Sequence, residues 1–362
     1  MQEGSQTGES VLDGITVKFR PDDFCVTEAI ALGPSLSKHS GAHPDAAKRY
    51  QYLRLRKCGY TTFQAIEVIA SHFGITPGVI TYCGLKDEDA VTDQMIAVPG
   101  DVDLARIDEF NAKNRSNDTF VALVRYGDYP VPLSVGGLAG NAFRICVRGI
   151  PPSVAEQMRG LGHAHQTAVI NYYDTQRFGV PGGPKTTHLI GAALLDNDFG
   201  SAFALLKDAK TPESAKAQNW SGDAEEFFST LEPRVVAFFM SADSSFKWNR
   251  IVEGRLENRL ESDRIVKYVR DGVEYFAAKS AEDLPGAFSK FPMAEYRRYR
   301  PEGNRFAYSA IKRPTLLHMV VNIESTGQDE EHPGRSKSVV SFFLPSGAYA
   351  TNVINQLILS LQ

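Results

Sequence analysis

Residues 80–98 read Ile-Thr-Tyr-Cys-Gly-Leu-Lys-Asp-Glu-Asp-Ala-Val-Thr-Asp-Gln-Met-Ile-Ala-Val, and they decide how the surrounding chain folds. The two ends, Ile80–Cys83 and Met95–Val98, are apolar and β-branched, which predicts two short strands. Between them, Gly84–Gln94 places a lysine beside three consecutive carboxylates. Such polar density between packed strands is typical of a functional loop or of an ordinary solvated turn, and this segment leaves both open. Asp87 is the first catalytic candidate.

The residues before this stretch predict a helix. Thr61 and Gln64 form a capping box, and apolar residues then recur at helical spacing from Phe63 to Phe73. Gly74 ends the pattern. This helix therefore leads directly into the strand and the polar loop.

An alternating segment, Tyr50–Lys57, precedes the helix and predicts a strand. Leu53 and Leu55 share one face with Gln51 and Lys57, whereas the other face carries tyrosines and arginines. That second face either binds an RNA backbone and stacks a base, or is a solvent face whose long side chains cover the sheet.

Strand patterns lie near both ends of the chain, and helical patterns lie in the middle. Strands are predicted at 15–19, 24–30, 120–124 and 143–147, and a long hairpin is predicted from 316–323 and 338–344. Ser153 and Glu156 form a second capping box, which predicts a helix that ends near 165–167. Residues 181–304 read as mostly helical, and a last helix contains 353–361. This order predicts an α+β domain interrupted by a second, helical one.

Composition excludes several classes of protein. The chain has 362 residues, of which 43% are hydrophobic, enough for two domains with separate cores. The net charge of −4 argues against a polycationic surface, but a local basic groove can still bind RNA. No apolar run is long enough to cross a membrane, and the first ten residues, expected to form a disordered tail, lack a signal core. We therefore expect a cytoplasmic protein.

Cysteine and histidine spacing predicts no metal site. The four cysteines are far apart in apolar contexts, which predicts buried thiols. His163 and His165 would point to different faces of the predicted helix, and no zinc-protease pattern is present.

Three further segments share the polar and aromatic character of the loop. Reading outward, they are Lys18-x-x-Pro-x-x-Phe24-x-Val-x-Glu28, Gly140-Asn-Ala-Phe143-Arg-Ile, and Asn171-Tyr-Tyr-Asp-Thr-Gln-Arg-Phe-Gly179. In this order, with Gly84–Gln94 and a closing Leu344–Thr351 segment, they resemble the TruD family of pseudouridine synthases. The resemblance covers residues 15–180 and 305–362.

The resemblance implies a fold and an activity. We expect an α+β catalytic domain of pseudouridine synthase type, with a mixed, largely antiparallel sheet, formed by residues 11–180 and 305–362. A mostly helical insertion domain, 181–304, would interrupt it, with RNA in the cleft between them. The family isomerises a uridine of RNA, most often position 13 of tRNA, without a cofactor. We expect a monomeric enzyme that acts on tRNA.

The resemblance also assigns roles to individual residues. Asp87 is the essential aspartate, which either removes the C2′ proton or attacks the substrate covalently. Lys18 and Lys86 would supply a nearby positive charge. Phe143 would stack on the uracil, although its spacing alone predicts a core residue, and Asn141 would bind the base or Asp87. The resemblance also places Gln176, Arg177 and Phe178 at the substrate, although Arg177 is equally suited to hold Asn171 and the neighbouring loops together. Their positive charge, rather than the resemblance, leads us to expect RNA-backbone contacts at Arg54, Arg56, Lys57, Arg297, Arg298 and Arg300.

Two other functions remain open from the sequence. The nearly uncharged stretch 125–135 replaces a basic, histidine-containing segment that is common in the family. This departure leaves open the same chemistry at a different uridine of RNA, and it motivates the alternative of a noncatalytic RNA-binding or RNA-folding protein of the same architecture. Alternatively, Asp87 and Asp89, two residues apart on a strand, would share a face and form the carboxylate pair of another nucleobase or glycosyl enzyme.

Overall fold

The computed structural model describes residues 12–30, 49–116, 118–303 and 305–362, so the predicted tail at 1–10 lies outside the described residues. The fold is a mixed α+β fold whose contacts divide it into two compact units. The sheet unit comprises Gly14–Gln166 and Met319–Gly347, and the helical unit comprises Thr167–His318 and Ala348–Gln362. In the described part of the chain, no helix is both long and apolar enough to cross a membrane.

The strands in chain order are β1 (Phe24–Ile30), β2 (Tyr50–Cys58), β3 (Thr81–Tyr82), β4 (Val91–Pro99), β5 (Phe120–Tyr129), β6 (Leu138–Ile150), β7 (His165–Ile170), β8 (Ile265–Arg270), β9 (Val273–Ala278), β10 (Met293–Glu302), β11 (Arg305–Pro314), β12 (Leu316–Gln328) and β13 (Ser336–Pro345). The helices are α1 (Thr62–Phe73), α2 (Ile107–Lys113), α3 (Pro152–Leu161), α4 (Thr187–Leu195), α5 (Phe199–Lys207), α6 (Pro212–Gln218), α7 (Ala224–Thr230), α8 (Pro233–Glu257), α9 (Asp283–Phe288) and α10 (Ala350–Leu359). The predicted terminal hairpin is β12–β13, paired in antiparallel register.

The sheet unit is built on one mixed sheet. Its strands pair in the order β5-β2-β4-β1-β6-β13-β12, and β3 pairs with β4. β1 is parallel to β4 and antiparallel to β6, whereas the β2–β4, β2–β5 and β6–β13 pairs are antiparallel. The largely antiparallel, mixed sheet predicted from the resemblance is therefore confirmed.

The opening stretch forms a strand, a loop and a strand, as predicted, but the second strand begins earlier. β4 starts at Val91, so Thr92, Asp93 and Gln94 belong to the sheet rather than to the loop. Along one edge β4 pairs with β2, and along the other it pairs first with β1 and then with β3. The loop therefore begins and ends on neighbouring strands.

Helix α1 covers the apolar face of this part of the sheet. The Thr61 side chain accepts the Gln64 backbone N–H at 3.2 Å, and the Gln64 side chain accepts the Thr61 N–H at 2.7 Å, so the predicted capping box is present. Gly74 ends the helix with φ of 70°, a conformation that favours glycine. Residues buried between helix and sheet include Leu53, Leu55, Ile66, Ile69, Ile96 and Val121.

Two local predictions are wrong. Residues 15–19 do not form a strand, because only Thr16 makes a bridge, to Arg148. The second capping box is also absent, since Pro151 is the N-cap of α3 and Pro152 lies in its first turn, a position that proline favours. This helix ends at Leu161, and His165 already belongs to β7.

The helical unit combines a helical core with two hairpins. Helices α4–α8 bury Ile190, Leu194, Leu206, Phe227, Phe239 and Met240 in one cluster. The prediction of a mostly helical middle holds for 187–257, but 265–278 forms the β8–β9 hairpin and 293–302 is strand β10. The β8–β9 segments largely alternate buried and less buried positions, a period of two that is typical of strands.

Helix α8 covers one edge of the β10–β11 hairpin. The Ser244 hydroxyl accepts the Arg297 N–H at 2.7 Å, and the Ser241 hydroxyl accepts the Tyr299 N–H at 2.9 Å. The Trp248 indole N–H donates to the Ala294 carbonyl at 3.2 Å. Side chains of one helix thus satisfy the edge groups that a neighbouring strand would otherwise pair.

We predict that Thr61→Ala destabilises the sheet unit by about 1 kcal/mol, because the first turn of α1 loses a capping acceptor. Urea denaturation of the two proteins measures the difference. Ser153→Ala is the matched control and leaves stability unchanged, because Pro151 rather than Ser153 is the N-cap of α3. Equal losses in both variants would contradict the difference in capping.

Candidate active site

The backbone of the Asp87 loop is held by polar groups from β2, α1 and β4. The Gly59 N–H donates to the Glu88 carbonyl at 3.1 Å, and the Lys86 N–H donates to the Thr62 hydroxyl at 2.9 Å. Gln94 joins the network, because its amide donates to the Gly84 carbonyl at 3.2 Å and accepts the Thr62 hydroxyl at 3.0 Å. A segment without regular structure therefore has a defined path.

Lys57 completes this network from beneath the loop. Its ammonium donates to the carbonyls of Tyr60 at 2.8 Å, Asp87 at 2.7 Å and Lys86 at 3.4 Å. The residue is 0% exposed, so the predicted contact with an RNA backbone is wrong. Burial, offset by the nearby Asp87 charge, lowers the pKa of Lys57 to about 8.

The Asp87 side chain projects from this loop and retains 50% of its exposure. Its Oδ2 forms an ion pair with the Lys18 ammonium, which lies 4.5 Å above the centre of the Phe24 ring. Lys18 itself is 27% exposed. The ion pair and the ring fix the lysine from two sides, so the carboxylate faces a positioned cation.

Lys86 pairs with Glu28, whereas the ion-pair partner of Asp87 is Lys18. The Lys86 Nζ and Glu28 Oε1 lie 2.5 Å apart, with side chains only 9% and 1% exposed. Glu28 Oε2 also accepts the Met95 N–H at 3.1 Å. Burial raises the pKa of Glu28 despite the opposing effect of Lys86. Glu28 is therefore one partner of an interior ion pair.

Phe143 and Asn141 lie on the same face of β6, next to β1. Phe143 pairs with Val26 across the strands and is 8% exposed, with its ring 5.9 Å from Phe24 and 5.6 Å from Phe342. Through Phe24, its contacts lead to Lys18 and Asp87. Asn141 lies opposite Glu28 on β1. Its Oδ1 is buried and accepts no hydrogen bond from the described residues.

The arginines of β2 share one carboxylate. Arg54 Nε lies 2.8 Å from Asp93 Oδ1, and Arg56 Nε lies 3.9 Å from Asp93 Oδ2. Both arginine side chains remain at least 50% exposed. The face predicted to be basic is therefore exposed, but Asp93 offsets part of its charge.

Residues 176–178 lie in the helical unit, and each of the three side chains has a different environment. Gln176 is exposed, and Arg177 Nε donates to the Ser245 hydroxyl at 3.2 Å while its guanidinium lies over the Phe238 ring. Phe178 is 0% exposed and packs against His188. Its predicted substrate contact is wrong, because no part of the ring is accessible.

The arginines at 297, 298 and 300 are exposed on β10. Arg297 lies opposite Ala310 and places its guanidinium 4.6 Å from the centre of the Tyr308 ring, a cation–π geometry. Arg300 lies 3.8 Å from Glu302. This hairpin therefore presents arginine and aromatic groups together.

The geometry weakens the two-aspartate alternative. Asp87 and Asp89 lie in the irregular loop before β4, so they do not share the face of a strand.

The sequence did not reveal that Lys57, Thr62 and Gln94 hold the Asp87 loop by hydrogen bonds. One signal in the sequence did indicate that Lys57 is buried, because it lies on the same face of β2 as Leu53 and Leu55.

Comparison with known proteins agrees with the motifs. Residues 11–221 match the sequence profile of the family tRNA pseudouridine synthase D (TruD). The probable tRNA pseudouridine synthase D 2 of Methanocaldococcus jannaschii is 25% identical, with 96% of this chain and 92% of that protein aligned. The tRNA pseudouridine synthase D of Geotalea daltonii is also 25% identical, with 98% and 99% aligned.

A solved structure shows the same fold. The crystal structure of a putative tRNA pseudouridine synthase D (TruD) from Methanosarcina mazei matches with a TM-score of 0.59 at 20% sequence identity. The match covers 98% of this chain and 96% of that chain. The fold therefore extends along nearly the whole sequence.

We predict that Glu28→Gln destabilises the protein by about 3 kcal/mol, because Lys86 keeps a buried charge without its partner. The double variant Glu28→Gln with Lys86→Met recovers part of this loss, since it removes both charges. Chemical denaturation measures each variant. Glu109→Gln breaks the exposed pair with Arg106 and serves as the control, with no measurable change expected. A double variant no more stable than Glu28→Gln would contradict the explanation.

Proposed function

Because the chain belongs to the tRNA pseudouridine synthase D (TruD) family, we propose that it converts uridine 13 of tRNA to pseudouridine with Asp87 as the essential carboxylate. The enzyme is an isomerase of the pseudouridine synthase class. The observation that carries the proposal is the exposed Asp87 carboxylate, paired with Lys18 on a loop anchored at its backbone.

The reaction requires a group at the sugar of the target nucleotide. The bond between C1′ and N1 breaks, the uracil rotates while it remains bound, and C5 bonds to C1′. The C5 proton then leaves and N1 takes up a proton, so that the product is an isomer of uridine. Asp87 acts either as the base that removes the C2′ proton or as a nucleophile. Lys18 contacts Oδ2, so we assign Oδ1 as the oxygen that acts on the substrate. This arrangement serves both routes.

We assign the uracil to the face formed by Phe143 and Asn141. The Phe143 ring is braced by Phe24 and Phe342, so it offers a rigid apolar edge at which an extruded base can pack. Asn141 Oδ1, an acceptor without a partner among the described residues, would accept the uracil N3–H. Contacts from Phe143 through Phe24 to Lys18 connect this face with Asp87.

The proposed RNA-backbone contacts are now Arg54 and Arg56 in the sheet unit and Arg297, Arg298 and Arg300 in the helical unit. Gln176 and Arg177 remain proposed substrate contacts. The hairpin residues combine exposed charge with the exposed Tyr308 ring, a combination suited to phosphates and unpaired bases. Asp93 reduces the contribution expected from Arg54 and Arg56.

The domain division is part of the same proposal. It assigns residues 11–180 and 305–362 to catalysis and 181–304 to an insertion domain. The compact units group the chain differently, because Thr167–His318 and Ala348–Gln362 cluster together. Both divisions place residues 319–347 with the Asp87 loop and residues 181–304 elsewhere.

We predict that the protein releases tritium from tRNA containing uridine labelled at C5, and that Asp87→Asn abolishes this release. The amide keeps the size of the carboxylate but can act neither as the base nor as the nucleophile. Binding of tRNA, measured by filter retention, changes by less than about threefold because the loss concerns the reaction step. Asp89→Asn, in the same exposed loop, is the control and retains activity.

The outcomes separate the proposed enzyme from the alternative. Full activity of Asp87→Asn would overturn the role of Asp87. A wild-type protein that binds tRNA but releases no tritium would instead support a noncatalytic RNA-binding protein. Sequencing of the pseudouridines in the product identifies the target, and a modified position other than 13 would correct the assigned uridine.

We predict that Arg298→Ala weakens tRNA binding and reduces the slope of log affinity against log salt by about 1, as loss of one phosphate contact requires. The single-turnover rate at saturating tRNA stays unchanged, because a phosphate contact at this site acts in binding. Arg234→Ala, which removes an exposed arginine of the helical unit outside the hairpin, leaves the slope unchanged. Identical slopes for the wild type and Arg298→Ala would contradict the proposed contact.

A further inference from the structure

We infer that Lys57 is a positioning residue for the reaction, whose buried ammonium fixes the backbone at Lys86 and Asp87 and thereby places the Asp87 carboxylate. The inference rests on the proposed function, because it concerns the catalytic loop assigned there. Lys57 does not touch the substrate in this proposal, since it is 0% exposed. It acts through the peptide groups on either side of the Asp87 side chain.

The geometry uses the full donor capacity of an ammonium group. Lys57 Nζ has three N–H donors, and three carbonyls from two separate turns surround it. Tyr60 contributes one carbonyl from the turn after β2, at 2.8 Å, while Asp87 and Lys86 contribute the others at 2.7 and 3.4 Å. One cation thus joins the turn that starts α1 to the loop that carries the catalytic carboxylate.

A purely structural role does not require a charge at this position. Lys57 lies on the face of β2 that also carries Leu53 and Leu55, where an aliphatic side chain would avoid the desolvation of an ammonium. The charged groups around Nζ are Asp87 and Glu88, which favour the ammonium, and Lys86, which opposes it. The ammonium is therefore placed where loop carbonyls can bind it.

The loop has two complementary anchors. Lys18 holds the Asp87 side chain at its outer end, whereas Lys57 holds the Asp87 backbone carbonyl from beneath. Without Lys57, the backbone at Asp87 would be less firmly held, and the ion pair with Lys18 would displace the Asp87 carboxylate. A misplacement of about 1 Å lowers the rate of a reaction step by up to about 100-fold.

Gln51 provides a matched control on the same strand and the same face. It is also buried, and its side-chain amide donates to the Val102 carbonyl at 2.6 Å and the Gly100 carbonyl at 3.3 Å. It thus holds a loop by the same kind of contact. Lys57 lies six positions further along the chain, which corresponds to roughly 20 Å along a strand.

The kinetic test compares Lys57→Met, Lys57→Gln and Gln51→Met with the wild type. Single-turnover tritium release at saturating tRNA falls by roughly 100-fold in Lys57→Met and less in Lys57→Gln, which retains amide donors. Affinity for tRNA stays within about threefold, because the RNA does not contact Lys57. Gln51→Met keeps the wild-type rate. A wild-type rate in Lys57→Gln, or an equal loss in Gln51→Met, would overturn the inference.

Hydrogen exchange followed by mass spectrometry gives a readout that does not depend on activity. Exchange increases in peptides covering 84–90 for the Lys57 variants and in peptides covering 99–104 for Gln51→Met. If Lys57→Met fails to fold, Lys57→Gln carries both measurements. Unchanged exchange at 84–90 would refute positioning by Lys57, whereas increased exchange with an inactive wild-type protein would refute only the proposed function.

Discussion

The buried ion pair between Glu28 and Lys86 is the constraint on which the candidate active site depends. Placing two charges in the interior is costly, and the cost is offset only when both side chains hold their positions. Glu28 lies on β1, and Lys86 lies next to Asp87 in the loop before β4. The pair therefore connects the middle of the sheet to the catalytic candidate. It also occupies Lys86, so Lys18 becomes the cation that faces Asp87.

The mixed sheet brings together motifs that are distant in the chain. β1 lies between β4 and β6, so its residues contact the Asp87 loop on one side and the Asn141–Phe143 segment on the other. β13 then supplies Phe342 behind Phe143. A neighbouring strand fixes the position of each motif. The half-exposed Asp87 carboxylate is therefore held in place although its loop has no regular secondary structure.

Polar side chains also hold the backbone of a functional segment in the helical unit. Serines of α8 bind the edge of β10, and this strand then presents Arg297, Arg298 and Arg300 to solvent. In both units, the backbone of a functional segment is fixed by buried donors and acceptors, while Asp87 and the three arginines of β10 remain exposed. This separation lets a segment be both ordered and available to RNA.

The sequence by itself determined the elements whose signals are local: the capping box of α1, the alternation of β2, the terminal hairpin, and the ordered motifs that identify the family. It also selected Asp87, Lys18 and Asn141 as candidates. Only the tertiary structure decided which groups face one another. In the folded chain, Lys57 and Phe178 are buried and Lys86 pairs with Glu28. The arginines of β2 lie beside the Asp93 carboxylate. The reason is physical: periodicity reports the face on which a side chain lies, whereas its partner is set by strand pairing between residues far apart in the chain.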